Sequence, residues 1–120
     1  MNLVYFNSRD QLLRIAMQNI VYFEADGNLT HIILTNKMKS TVSMNLGKME
    51  LFLSTQYGKK TTSTFLRLGK RFIINMDYIY MIDVSKQRLV LSDYKNFAYQ
   101  LPVSKDALKK VRELVIETKR

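Results

Sequence analysis

The chain has 120 residues, 47% of them apolar and 24% charged, which suits one domain with a buried core of its own. It contains no cysteine, which excludes disulfides, thiolate catalysis and any Cys-ligated metal centre. Nineteen Lys and Arg against ten Asp and Glu leave a net charge of +9 and a pI near 9.9, a field that concentrates polyanions such as nucleic acid.

The N-terminal stretch Met1 to Asp10 has no basic run and only four consecutive apolar residues, so it is not read as a leader peptide. Asn75, Asp77 and Asp83 interrupt the most apolar region, Phe72 to Val84, which leaves nothing long enough to insert in a membrane. The expectation is a cytoplasmic protein forming a single domain over residues 1–120.

The first elements read as an antiparallel meander. Val21 to Ala25 and Leu29 to Thr35 are rich in β-branched and aromatic residues, and Asp26-Gly27-Asn28 between them supplies a turn with an easy positive φ. Thr41 to Met44 alternates as a half-buried strand does. Asn45 is a natural cap for a helix carrying Leu46, Met49 and Leu53 at helical spacing, with Gly58 at its end. Lys59 to Thr64 is polar and reads as a loop. Phe65 to Leu68 follows as a strand that Gly69 punctuates.

Phe72 to Met76 and Tyr78 to Asp83 are apolar and fit either short helix or buried strand. Arg88 to Ser92 and Phe97 to Leu101 flank Asp93-Tyr94-Lys95-Asn96 as a hairpin, and Pro102, which cannot donate to a ladder, closes the sheet region. Ser104 is an N-cap for a terminal helix with Asp106 in its first turn and Leu108, Val111 and Val115 along one stripe. The fold class is mostly β with short α, one helix internal and one C-terminal.

Catalytic patterns are missing. His31 stands alone as the only histidine, so there is no metal-ligand cluster and no triad to build on it. Gly27, Gly47, Gly58 and Gly69 form no phosphate-binding loop, and the carboxylates are scattered singly. No enzyme and no cofactor is expected. Between Glu50 and Asp77 there is no acidic residue, while Lys59, Lys60, Arg67, Lys70 and Arg71 fall there, giving an electropositive stretch. The run Lys109-Lys110-Arg112 is offset by Glu113 and Glu117 and reads as a solvated helix face.

Four stretches, in order, resemble the LytTR domain, a DNA-binding module of bacterial transcription regulators. Ile20 to Asn28 is similar to its opening "I-x-Y-I-E-A-x-G-N". Asn45-Leu46 and the helix behind them match the position of its "S-L-x-x-L-E". Phe65 to Asn75 resembles "F-x-R-V-H-R-S-Y-I-V-N", and Leu101 to Lys105 its closing "I-P-V-S-R". The likeness spans about residues 14–110. It implies an elongated fold of small antiparallel sheets whose loops and strand edges enter successive major grooves, unlike a single recognition helix.

Carried over by position, the resemblance implies three DNA-contact places: Asn28, Thr30 and His31 at the first hairpin; Lys70 and Arg71 in the loop after the Phe65 strand; and Ser104 with Lys105 at the start of the last helix. Ser104 serves equally well as a plain cap. Lys39, Arg67, Lys86 and Arg88 are weaker candidates for phosphate contacts. The family's "H-R-S" is Gly69-Lys70-Arg71 here, so base preference does not carry over. Only residues 1–19 precede the first matching stretch, too few for a receiver domain, so the chain reads as a stand-alone member or as a DNA-binding half.

The expected partner is double-stranded DNA, with a second copy on repeated half-sites. A LytTR-like module that binds a regulatory protein partner without an operator is the alternative. An RNA binder using Tyr94, Phe97 or Tyr99 for stacking is a third.

Overall fold

The turn between the third and fourth strands sets much of the architecture. Gly27 takes φ +58°, which only glycine adopts freely, and with Asn28 it forms a two-residue connection that places Asp26 opposite Leu29. Because side chains alternate along a strand, that one pairing decides which residues of both strands face which side. Glu24 therefore lies opposite His31, and Phe23 opposite Ile32.

A computed structural model describes residues 2–118, with Lys60 and Thr62 traced by backbone only. Elements run β1 (Leu3–Asn7), β2 (Leu12–Ala16), β3 (Ile20–Asp26), β4 (Leu29–Leu34), β5 (Lys39–Val42), α1 (Leu46–Tyr57), α2 (Lys59–Thr64), β6 (Phe65–Leu68), β7 (Phe72–Asn75), β8 (Ile79–Asp83), β9 (Arg88–Ser92), β10 (Ala98–Pro102) and α3 (Lys105–Thr118). Short 3-10 turns cover Met17–Asn19 and Met76–Tyr78. All strand pairing is antiparallel, in a β1-β2 hairpin, a five-stranded sheet ordered β5-β4-β3-β7-β6 and a three-stranded sheet ordered β10-β9-β8. The expected mostly β class holds. The chain divides into two compact units, Met1–Asp77 and Tyr78–Arg120.

In the first unit one face of the five-stranded sheet presents Phe23, Ile32, Ile73 and Phe65. These pack with Leu46, Met49 and Leu53 of α1 and with Val4 and Phe6 of the hairpin. Each fully buried apolar side chain of this size contributes about 1.5–3 kcal/mol. Phe23 and Phe65 meet edge-on with ring centroids 5.4 Å apart. Asn45 caps α1 as its sequence suggests, its Oδ1 accepting from Lys48 N at 2.8 Å. The β1-β2 hairpin carries no glycine at its turn; Ser8 closes it through Gln11.

Residues 59–64 are helical, where a loop was expected. Gly58, at φ +60°, ends α1 and starts α2. The buried Thr61 hydroxyl donates to Leu53 O at 2.8 Å, so this threonine serves the backbone. Phe72–Asn75 and Ile79–Asp83 resolve as strands. Asn75 is fully buried, its amide donating to Ile20 O at 2.8 Å while its Oδ1 accepts from Asp77 N at 2.9 Å. It ties the end of β7 to the start of β3, where the ladder is irregular.

In the second unit α3 packs on β8, and Leu89, Leu91, Leu101, Leu108 and Val111 are buried. The β9-β10 turn is organised by Asp93, whose carboxylate accepts from the backbone N–H groups of Lys95, Asn96 and Phe97. It holds Tyr94 at φ +69°. Partial desolvation pushes the Asp93 carboxyl up, but these N–H donors with the Asn96 amide outweigh it and bring it down to about 2.

Two outcomes follow. Asn75→Ala strands the buried Ile20 carbonyl and the part-buried Asp77 N–H and should cost about 1–3 kcal/mol, read as a lower urea midpoint at unchanged m-value. The Asp93 carboxyl carbon should titrate in NMR near pH 2. Its folded pKa lies below the unfolded value, so the turn gains stability above about pH 4 and loses it as pH falls through the folded pKa.

Candidate nucleic-acid interface

The β3-β4 tip exposes Asn28 beside Gly27 at the turn. Thr30, two residues on, is fully buried, and its hydroxyl donates to Met44 O at 2.7 Å. This corrects the expectation that Thr30 reaches a ligand: strand parity turns it inward, where it pins the segment before α1. His31 faces the other side. Its Nε2 lies 2.8 Å from Asp26 Oδ2 and its Nδ1 2.8 Å from Thr41 Oγ1, so both ring nitrogens are engaged.

The β6-β7 turn comprises Gly69, Lys70 and Arg71, with Gly69 at φ +57°. Lys70 is exposed and makes no ion pair among the described residues. Arg71 is also exposed, but its Nη2 donates to Glu24 Oε2 at 3.0 Å and its guanidinium lies 4.8 Å from the Phe72 ring centroid. The backbone continues the ladder here, Ala25 N donating to Arg71 O at 2.8 Å. The turn is thereby pinned to β3.

The third place is the start of α3. Ser104 Oγ accepts from Ala107 N at 3.3 Å and Ser104 O from Leu108 N at 3.0 Å, so the cap is real. The approach to it is fixed by Val103 N donating to Gln87 O at 3.1 Å. Ser104 and Lys105 are both exposed. Remaining N–H groups of the first turn face an anion favourably, partly offset by Asp106.

A family model described as the LytTr DNA-binding domain matches residues 10–116. The chain belongs to the LytTR DNA-binding domain family. Among solved structures, the fold is similar to that of the LytTr DNA-binding domain of a methyl-accepting/DNA response regulator from Bacillus cereus, with a TM-score of 0.67, 21% identity, and coverage of 96% of this chain and 97% of that one. No curated protein matches the chain. Among the described residues, no helix is long and apolar enough to cross a membrane.

For this LytTR domain the weaker phosphate candidates separate cleanly. Lys39 on β5 and Lys86 in the β8-β9 turn are exposed. Arg67 is spent: Nη1 donates to Glu50 Oε1 at 3.0 Å and Nε to Gly69 O at 2.8 Å. Arg88 Nε is buried, 3.8 Å from Asp83 Oδ2. The Lys86 backbone N–H does most to hold the Asp83 carboxyl below its usual range; desolvation opposes it, and Ser85 and Arg88 add to the lowering. The acid-free stretch is thus partly compensated from outside, by Glu50 and Glu24. Phe97, one of the stacking candidates, is buried, whereas Tyr94 is exposed.

Sequence reading missed Glu24, Asp26 and Thr41, which position Arg71 and His31. The signal was present: a two-residue turn at Gly27-Asn28 implies Glu24 opposite His31.

Capping and phosphate contact at Ser104 can be separated. Ser104→Asp keeps a good cap, so thermal stability should stay within about 0.5 kcal/mol, but a carboxylate facing phosphate should cost about tenfold in duplex affinity at low salt. Unchanged affinity in a filter or anisotropy titration would leave the serine as a cap only.

Proposed function

We propose that the domain is a sequence-specific reader of duplex DNA acting as a transcription regulator, through loops and strand ends and not through a recognition helix. The observation that carries this is the state of Lys70 and Lys105: both are exposed, one in the β6-β7 turn and one at the start of α3, where backbone hydrogen bonds fix the neighbouring chain, and the motif resemblance implies contacts at both. Asn28 adds an amide donor and acceptor at the hairpin tip. Each lysine can donate to guanine O6 and N7 or neutralise phosphate.

Arg71 and His31 join as groups already oriented by neighbours. Thr30 has a structural part only. Lys39 and Lys86 add phosphate contacts, and a second copy on a repeated half-site would enlarge the interface. We read the chain as one cytoplasmic module of residues 1–120 and not as an enzyme.

A protein-interaction reading draws on one observation, an open cleft of about 540 Å³ beside edge strand β6, lined by Leu51, Phe65 and Leu66. Selection from a random duplex pool distinguishes the two: the DNA reading gives an enriched motif, and an unenriched pool removes it. Binding should weaken linearly in log–log salt plots, with a slope near −0.9 per phosphate neutralised. Replacing Lys70 and Lys105 by Ala should cost about 1–3 kcal/mol each on the selected duplex, measured by anisotropy, whereas Lys109→Ala with Lys110→Ala costs under about 0.5 kcal/mol.

A further inference from the structure

We propose that Glu24 is a specificity-determining positioning residue: it buttresses Arg71 for base reading and withholds it from phosphate. The inference rests on the DNA-reading function above and deepens it for one loop.

The register builds a row across four strands on one face of the five-stranded sheet. Phe72 of β7 lies opposite Glu24 of β3, which lies opposite His31 of β4, which lies opposite Thr41 of β5. Directly opposed residues of a sheet share a face. Asp26, two residues along from Glu24, joins the same face and engages His31. Two carboxylates are therefore gathered at the tip of a chain whose net charge is +9.

Glu24 holds Arg71 by a single nitrogen, Nη2, while the guanidinium lies over the Phe72 ring. A guanidinium carries five N–H donors in a rigid fork, so one anchored nitrogen leaves the rest directed outward. A group fixed in plane loses little freedom on meeting the two acceptors of a guanine edge. Phosphate differs. It is reached by any cation that can swing toward it, and here it must approach Glu24 and Asp26 against like charge. Lys70, the adjacent residue, has no such restraint among the described residues.

The test is a double-mutant cycle with Glu24→Gln, Arg71→Ala and the pair. The probes are the duplex most enriched from a random pool and a scrambled duplex of the same composition, titrated by fluorescence anisotropy. Glu24→Gln keeps shape at a half-buried position, and circular dichroism checks the fold. Glu113→Gln on the exposed side of α3 changes net charge equally and serves as control.

Glu24→Gln should tighten binding of the scrambled duplex and weaken that of the selected one, lowering their ratio about three- to tenfold, with a steeper salt slope on the scrambled duplex. In the Arg71→Ala background it should leave the ratio unchanged. An equal effect from Glu113→Gln, or an effect that persists without Arg71, overturns the buttress while leaving DNA reading intact. A wild-type domain with no preference between duplexes overturns both.

Discussion

The register of β3 is the constraint on which the first unit depends. β3 pairs with β4 on one side and β7 on the other, and its phase is set by the two-residue turn at Gly27-Asn28 and by Asn75 at the opposite end. With that phase, Phe23, Ile32 and Ile73 meet α1, and Thr30 is turned inward to Met44. The same phase turns Glu24, Asp26 and His31 to the other face. A slip by one residue would exchange the two sets, burying three polar side chains and exposing a phenylalanine. Core and tip are therefore one decision.

Charge is arranged at a finer scale than the total suggests. Arg67 and Arg71 both fall in the acid-free stretch, yet each is held by a glutamate from another element, Glu50 of α1 and Glu24 of β3. Lys70 stands exposed in the β6-β7 turn and Lys105 at the start of α3. Exposed ion pairs of this kind add little to stability, typically under about 1 kcal/mol. Their consequence is geometric: they fix where a guanidinium points. The domain thus separates arginines held by glutamates from lysines that stand exposed.

Much of this was legible from residues alone. The β-branched and aromatic content of β3 and β4, the Asn45 cap, the Phe65 to Leu68 strand and the Ser104 cap each rest on local chemistry that tertiary packing did not override. The β1-β2 hairpin was not foreseen, because its turn at Ser8 to Gln11 lacks glycine and its short alternation was weighed only as a leader. Helix α2 escaped because Thr61 satisfies the backbone of α1, a contact that spans eight residues. At the candidate interface, motif position pointed to loops and strand ends but carried no information on the direction of each side chain. Thr30 and His31 are neighbours in sequence and opposite in orientation, which only register resolves.

The central claim is that three separate loop and strand-end places carry duplex recognition in this LytTR domain. Mapping backbone amide shifts by NMR, as the duplex most enriched from a random pool is added to the labelled protein, addresses it most directly. The account predicts that the largest changes fall at Asn28, at Lys70 and Arg71, and at Ser104 and Lys105. Shifts concentrated instead on the Lys109, Lys110 and Arg112 side of α3, or around Tyr80 and Tyr94, would contradict it.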